Sequence, residues 1–296
     1  MMHDYLRAIG FSNLKNNKDV RDVINLVMLR PTSEYIAPSS DEEAVFGEKV
    51  KEFASRMGIA VRGEYEENGN FHFGYYLPYF KGKHSTFKEE VTIEKQSDKD
   101  AYSGICDNVK VGVSLIFQLL NMSDYLDYME FHKGPSFFTP ISLSGLSISG
   151  KIILPVLKTN EEVIRKKAES ASRDYMIAAA REGDQDAIES LTLEDIDLYA
   201  SISRRSKKED ILTIVESYFM PYGIACDQYS IMGDILSVER VQNILTEEYV
   251  YILTLECNDL IFDICINKAD LFGEPAPGRR FRGTVWMQGL VDFMNL

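Results

Sequence analysis

Short apolar runs separated by glycines fill the last third of this chain, over residues 229–293. Gly233, Gly278, Gly283 and Gly289 lie within or beside these runs, around the single tryptophan. Glycine inside a strand pattern marks a bend or a close approach of two backbones. Five short strands, with one helical turn between the third and the fourth, are typical of a small OB-like Greek-key barrel. A small β-sandwich is the alternative, and either fold is a scaffold compatible with many functions.

Residues 1–157 predict a mixed α/β domain. Helical spacing of apolar residues predicts helices over 18–29, 41–57 and 108–129, after a short first helix that ends at Gly10. Alternating apolar residues on both sides of Asn68-Gly69 predict a β-hairpin. We expect the apolar helix over 108–129 to pack centrally against the sheet of this domain.

Residues 158–228 are charged, have few large apolar side chains and show a helical pattern. They predict a helical connector rather than a domain with its own core. The overall expectation is an α+β chain with three parts: an α+β domain over 1–157, the connector over 158–228, and the OB-like barrel over 229–296.

Charge argues against several partners. The chain has 32 basic and 46 acidic residues, a net charge of −14, and such a surface repels nucleic-acid phosphates and anionic lipid. No apolar helical stretch is long enough for a bilayer, and the first residues lack the pattern of a secretory signal. The four cysteines have no CxxC spacing, so we expect buried, reduced thiols and a cytoplasmic protein.

The closing strand of the predicted barrel provides the first candidate site. Strand alternation places Arg280, Arg282 and Trp286 on one face. Arginine and tryptophan are enriched at protein interfaces, so we expect a protein partner to bind there. Stacking of single-stranded nucleic acid is an alternative, which the acidic charge of this region disfavours. In a third interpretation, Trp286 packs against the core.

The second candidate site lies in the first domain. An aromatic stretch ends in a basic turn, and its candidate binding residues are Tyr75, Tyr79, Lys81, Lys83 and His84. Tyrosine rings and basic donors together predict a pocket for a small anionic ligand. The alternative is a strand end whose rings fill the core and whose lysines face water.

Known catalytic patterns are missing from the sequence. It contains no GxSxG, Walker or GxGxxG motif, and its four histidines have no metal-binding spacing. We therefore expect no catalytic residue, metal or cofactor. The leading hypothesis is a non-enzymatic binding or scaffold protein, and an enzymatic site in the first domain is the alternative.

Three longer strings carry a family resemblance: DYMIAAAREGDQDAIESLTLEDIDLYASISRR, YFMPYGIACDQYSIMGDI and GRRFRGTVWMQG. With them the chain resembles an uncharacterised domain-of-unknown-function family of anaerobic clostridia-type bacteria, over essentially its whole length. The resemblance implies a bacterial intracellular setting and carries no assigned activity or site residue.

Overall fold

The computed structural model describes residues 4–14, 16–38, 45–96, 101–107, 113–132, 134–155, 160–207 and 210–293. The helices are α1 (Asn17–Leu29), α2 (Met122–Phe131), α3 (Asn160–Arg181), α4 (Gln185–Arg205) and α5 (Ile211–Ile214), with 3-10 turns at Asp4–Ile9 and Lys268–Asp270. The strands are β1 (Ser33–Pro38), β2 (Val45–Ala54), β3 (Met57–Tyr65), β4 (Phe71–Phe80), β5 (Phe87–Lys95), β6 (Tyr102–Asp107), β7 (Ser114–Leu119), β8 (Ser136–Ile153), β9 (Tyr218–Pro221), β10 (Gln228–Gln242), β11 (Tyr249–Cys257), β12 (Leu260–Asn267), β13 (Leu271–Phe272) and β14 (Arg280–Val291). The fold is a mixed α+β fold, as expected from the sequence.

Sheet A is a four-stranded antiparallel sheet in the order β1-β2-β3-β4. The predicted hairpin at Asn68-Gly69 joins β3 to β4. The helix predicted over 41–57 was wrong: residues 45–54 form β2, and residues 41–44 lie outside the described residues. Phe46, Val50 and Phe53 have helical spacing, but β2 pairs with a strand on each side, and that pairing decides its conformation.

The predicted central helix over 108–129 was also wrong. Residues 114–119 form the strand β7, and α2 begins only at Met122; residues 108–112 lie outside the described residues. Leu115, Phe117 and Leu119 are fully buried in β7. These residues alternate along the strand, but Ile116 and Leu120 make the run nearly continuous, and a short continuous apolar run fits a helix as well as a strand.

Sheet B contains strands from both ends of the chain. β10 pairs with β11, β11 with β12, β12 with β8, β8 with β14, and β14 with β10, so this series of pairings returns to its first strand. A second series runs from β8 through β5, β6 and β7 to β14. Both series share the antiparallel pair β8–β14, which extends from Ile141–Val291 to Ile153–Arg280.

This topology corrects the prediction of a barrel made by residues 229–296 alone. Within the described residues β12 pairs with β8, which lies between β12 and β14 in the sheet. The expected boundaries at 157 and 229 therefore do not separate two sheets. Local strand patterns predict strands but not their partners, and here the partner of the closing strand comes from the first half of the chain.

Two hydrophobic clusters lie on opposite faces of the strands of sheet B. In β11, Leu253 and Leu255 belong to one cluster, whereas Val250 and Ile252 belong to the other. Both faces of this strand are covered, which explains its nearly continuous apolar sequence YVYILTLEC.

The N-terminal segment covers the outer face of sheet B. The 3-10 turn Asp4–Ile9 contacts β4, β8 and β12, and it ends at Gly10, whose φ is +91°, as the sequence predicts. Tyr5, Leu6 and Ile9 are buried in the same cluster as Trp286. The segment therefore fills the space between sheet A and sheet B.

Helices α3 and α4 form a helical hairpin in the region predicted as a connector. Asp184 caps α4 by accepting hydrogen bonds from the backbone N–H groups of Asp186 and Ala187. Arg173 of α3 forms ion pairs with Glu194 and Asp195 of α4. Of the helices in the described part of the chain, none is both long and apolar enough to span a membrane.

Candidate functional site

The face predicted on the closing strand is largely covered. Trp286 is 6% exposed; its indole N–H donates to Asp227 Oδ2 at 2.6 Å, and its ring lies 5.1 Å from that of Tyr5. Arg280 is also buried and donates three hydrogen bonds, two to the Leu154 carbonyl and one to the Val215 carbonyl. The alternation of this strand agrees with the prediction, but the geometry matches the third interpretation, in which Trp286 packs against the core.

Arg282 is the exposed member of this face. Its Nε donates to the Tyr218 hydroxyl at 3.1 Å. The structure thus places the three residues on one strand face without bringing them together as an open binding surface.

The residues of the second candidate site separate into two groups. Lys83 and His84 are exposed beyond the end of β4, and the backbone N–H of Lys83 donates to Asp263. Tyr79 and Lys81 line a cavity of about 150 Å³, which we call the Tyr79 cavity. Tyr75 lines a second cavity of about 140 Å³ together with Phe46, Phe73 and Met122.

The Tyr79 cavity lies between one face of sheet A and the junction of β7 with α2. Strand pairing places Glu48 opposite Arg62, Val50 opposite Ala60, and Ala60 opposite Leu77, so these side chains share one sheet face. Five apolar side chains contribute to its walls: Val50, Ala60, Leu77, Leu120 and Leu290. The other lining residues are Tyr35, Glu48, Arg62, Tyr79, Lys81, Asn121, Ser123 and Asp124.

A buried ion pair closes one wall of this cavity. Arg62 is 0% exposed and Glu48 4% exposed, and Arg62 Nε donates to Glu48 Oε1 at 3.1 Å. The guanidinium also donates to the Tyr75 hydroxyl and to the carbonyls of Leu119 and Leu120. Burial alone would lower the pKa of Arg62, but Glu48 and Tyr75 raise it above its ordinary value. The Arg62–Glu48 ion pair therefore connects sheet A to the end of β7.

The hydroxyl of Tyr79 has no hydrogen-bond partner among the described residues, although Tyr79 is only 3% exposed. Burial, and then the nearby carboxylates of Glu52 and Glu48, raise its pKa, so the hydroxyl is protonated at neutral pH. Gly58 is the cross-strand neighbour of Tyr79, and a Cβ there would lie 2.9 Å from the hydroxyl. A buried hydroxyl without a partner has a free-energy cost of about 1–3 kcal/mol.

Further polar groups surround the cavity. Lys81 has its Nζ 5.5 Å from the centre of the Tyr79 ring. Asn121 donates through Nδ2 to Asp124 Oδ2 at 3.0 Å, and Ser123 lies beside them in the first turn of α2. Among the described residues, no group of histidine, cysteine and carboxylate side chains has a geometry that could hold a metal ion.

Sequence reasoning identified Tyr79 and Lys81 but missed Glu48, Arg62 and the α2 residues. Glu48 was missed because residues 41–57 were interpreted as a helix, and Arg62 of β3 was missed because its buried partner is Glu48. As a strand, the same residues place Glu48 on one face with Phe46 and Val50, where a charged side chain needs a buried partner.

The four cysteines yield a test of the fold. Cys106, Cys257 and Cys265 are buried as expected, whereas Cys226 is exposed. Burial raises the pKa of Cys106 and of Cys257 to about 12. We expect one thiol per native chain to react rapidly with an aromatic disulfide reagent at pH 8, and four after unfolding in guanidinium.

In Cys226→Ser the rapid reaction should disappear and the three slow thiols should remain. Rapid reaction of a second thiol in the native protein would contradict the burial of the other three cysteines.

The comparisons with known proteins identify a family without adding a function. No curated protein and no solved structure matches this chain. The family model described as "Domain of unknown function, E. rectale Gene description (DUF3881)" matches residues 6–289. This match confirms the resemblance inferred from the sequence: the chain belongs to the DUF3881 family.

Proposed function

We propose that this protein binds a small polar molecule in the Tyr79 cavity. The observation that carries the proposal is the Tyr79 hydroxyl, which is buried without a partner in the described part of the chain and belongs to a residue that lines the cavity. Buried polar groups in folded proteins almost always have a partner. A ligand that accepts a hydrogen bond from this hydroxyl would remove the free-energy cost of leaving it unpaired.

The shape and composition of the cavity agree with this proposal. Binding sites for small molecules combine apolar walls with a few polar groups that fix orientation. The Tyr79 cavity has an apolar floor of Val50, Ala60 and Leu77, and its polar groups lie on the facing side and at its ends. Its volume is similar to that of a cavity that holds benzene, so a small molecule fits within it.

The test compares the wild type with Tyr79→Phe in a thermal-shift screen of carboxylates, amines, alcohols and amino acids. Without ligand, Tyr79→Phe should be as stable as the wild type or up to about 1 kcal/mol more stable, because it removes an unpaired polar group. A ligand at about 100 times its dissociation constant should stabilise the wild type by about 2.7 kcal/mol and the variant clearly less.

Tyr125→Phe is the matched control, since it removes a hydroxyl from a buried tyrosine that packs against Tyr102 and Phe293 instead. It should leave ligand stabilisation unchanged. If no compound stabilises the wild type, or if Tyr79→Phe responds as fully as the wild type, the proposal is wrong.

Protein contact and single-strand nucleic-acid binding at the closing strand have less support. Both need an open indole face, and Trp286 is packed against Tyr5 and bonded to Asp227. Neither is therefore our preferred function.

We also propose that β10, β11, β12, β8 and β14 form an OB-like barrel that serves as the scaffold for sheet A. Its support is the series of pairings that returns to β10. A cytoplasmic setting is part of the same proposal and rests on the acidic composition and on cysteines without paired spacing.

A further inference from the structure

We infer that the ligand of the Tyr79 cavity is a small zwitterion, an α-amino acid of the size of glycine, alanine or serine. This inference rests on the proposed function and names its ligand class. It follows from charged groups of both signs at the cavity, from the buried hydroxyl of Tyr79 and from the small volume.

The cationic group is Lys81. Its Nζ has no carboxylate partner among the described residues and lies 5.5 Å from the centre of the Tyr79 ring. Arg62 is the other cation at the cavity, but Glu48, Tyr75 and two carbonyl groups already engage its guanidinium. A ligand carboxylate would therefore pair with Lys81, with the Tyr79 hydroxyl as a second donor.

The anionic groups are Glu48 and Asp124. Glu48 Oε1 accepts from Arg62 Nε, and Asp124 Oδ2 accepts from Asn121 Nδ2. The other oxygen of each carboxylate has no protein donor within the described ranges. These oxygens are suitable acceptors for a ligand ammonium, and the hydroxyl of Ser123 lies beside Asp124 at the same cavity.

The balance of charge separates a zwitterion from a simple ion. Arg62 and Glu48 neutralise each other in their ion pair, which leaves Lys81 and Asp124 as the two opposite charges at the cavity. A lone carboxylate would meet the like charge of Asp124, and a lone amine would meet Lys81. A molecule that carries both groups pairs each with its opposite, and like charges are kept apart.

Size limits the side chain of the ligand. A cavity of about 150 Å³ holds about six non-hydrogen atoms, as for benzene. Val50, Ala60 and Leu77 provide an apolar floor for a methyl or methylene group. Part of a larger side chain, such as that of leucine or phenylalanine, would lie outside the cavity, so we expect these amino acids to bind more weakly.

Calorimetric titration with chemically matched probes tests this inference. L-alanine carries both charges. Propionate is alanine without its ammonium group and carries the negative charge alone, and ethylamine is alanine without its carboxylate and carries the positive charge alone. We expect L-alanine to bind the wild type at least tenfold more tightly than either single-charge probe. If propionate or ethylamine binds as tightly as alanine, the inference that the ligand is a zwitterion is wrong, whereas the proposed binding of a small polar molecule still holds.

Variants assign the two ends of the ligand. Lys81→Met should weaken alanine binding at least tenfold and leave ethylamine binding unchanged or stronger, whereas Asp124→Asn should weaken alanine and ethylamine but not propionate. Lys83→Met is the matched control: it removes an exposed positive charge near the cavity and should change alanine binding less than twofold. Circular dichroism and thermal melting of each variant check its fold.

Equal effects of Lys81→Met and Lys83→Met would overturn the assignment of Lys81 as the carboxylate partner. Failure of glycine, alanine and serine to bind would overturn the amino-acid inference. Failure of every compound in the wider screen would overturn the proposed function as well, so the two failures are distinguishable.

Discussion

Arg62→Met is expected to lower the free energy of unfolding by about 3–5 kcal/mol, the usual effect of removing one member of a buried ion pair. The substitution leaves Glu48 as a buried charge without its partner, and it removes the donors to the Leu119 and Leu120 carbonyls. At about 2–4 °C for each kcal/mol, the melting temperature should fall by roughly 10 °C. Chemical denaturation followed by circular dichroism measures this change.

The controls separate the buried charge from the lost donors. In Arg62→Met with Glu48→Leu, the uncompensated carboxylate is gone, so part of the stability should return. Recovery should be incomplete, because the two carbonyls and the Tyr75 hydroxyl still lack their donor. Arg282→Met removes an exposed arginine and should change stability by less than about 0.5 kcal/mol. An Arg62→Met variant as stable as Arg282→Met would show that the ion pair does not fasten sheet A.

Asp263→Asn is expected to cost about 3 kcal/mol at pH 7. Asp263 is 1% exposed and accepts hydrogen bonds from Arg56 Nη1, Thr254 Oγ1 and the backbone N–H of Lys83. The bonds from Arg56 and Lys83 link β12 to the turn between β2 and β3 and to the segment after β4, so they connect sheet B to sheet A. A hydrogen bond to a charged group contributes about 1.5–3 kcal/mol. The amide of the variant has no charge, so the hydrogen bond from Arg56 loses its ionic contribution. The NH2 group of the amide must also point a donor toward Arg56.

The pH dependence of this variant follows from the pKa of Asp263. Burial alone would raise that pKa, but the hydrogen bonds from Arg56, Thr254 and Lys83 together lower it below its ordinary value. A carboxyl whose pKa is lower in the folded state stabilises the fold above its unfolded pKa, about 3.9. This stabilisation is lost as the pH falls through the folded pKa. The difference between wild type and Asp263→Asn should therefore be complete at pH 7 and shrink below about pH 4.

Glu239→Gln is the matched control, since Glu239 lies 3.8 Å from the same arginine but is exposed. Exposed ion pairs contribute about 0–1 kcal/mol, so this variant should be nearly neutral at every pH. A constant difference between wild type and Asp263→Asn from pH 7 down to pH 3 would contradict the role of the ionised carboxylate.

Elements whose signals are local could be predicted from the sequence. The helix at 18–29 and the Asn68-Gly69 hairpin both have such signals, and both are present with shifts of a few residues at their ends. The turn Asn258-Asp259 also joins β11 to β12, and both of its residues have positive φ. In these cases the residues that decide the conformation are neighbours in the chain.

Elements decided by distant partners could not be predicted in the same way. β2 and β7 were interpreted as helices because their apolar residues fit a helical face as well as a strand. Their conformation depends on strands that lie elsewhere in the sequence. The Tyr79 cavity has the same origin, since Lys81 follows β4 whereas Asn121 and Asp124 lie at the start of α2.

The burial of Trp286 also depends on residues that are distant in the sequence. Strand alternation correctly separates it from Phe281, Val285 and Met287, which belong to the other hydrophobic cluster. Whether its face is open depends on the N-terminal segment, where Tyr5 covers the indole ring. No local pattern around residue 286 could contain that information.

The pairing of β8 with β14 has a consequence for the protein while the ribosome makes it. Ile141 pairs with Val291, so β8 is synthesised about 150 residues before its partner strand. At about 5–20 residues per second, this edge of β8 has no partner strand for roughly 8–30 seconds. An apolar strand with an open edge can pair with the wrong chain. We therefore expect the nascent chain to bind chaperones that recognise extended apolar segments until translation reaches the closing strand.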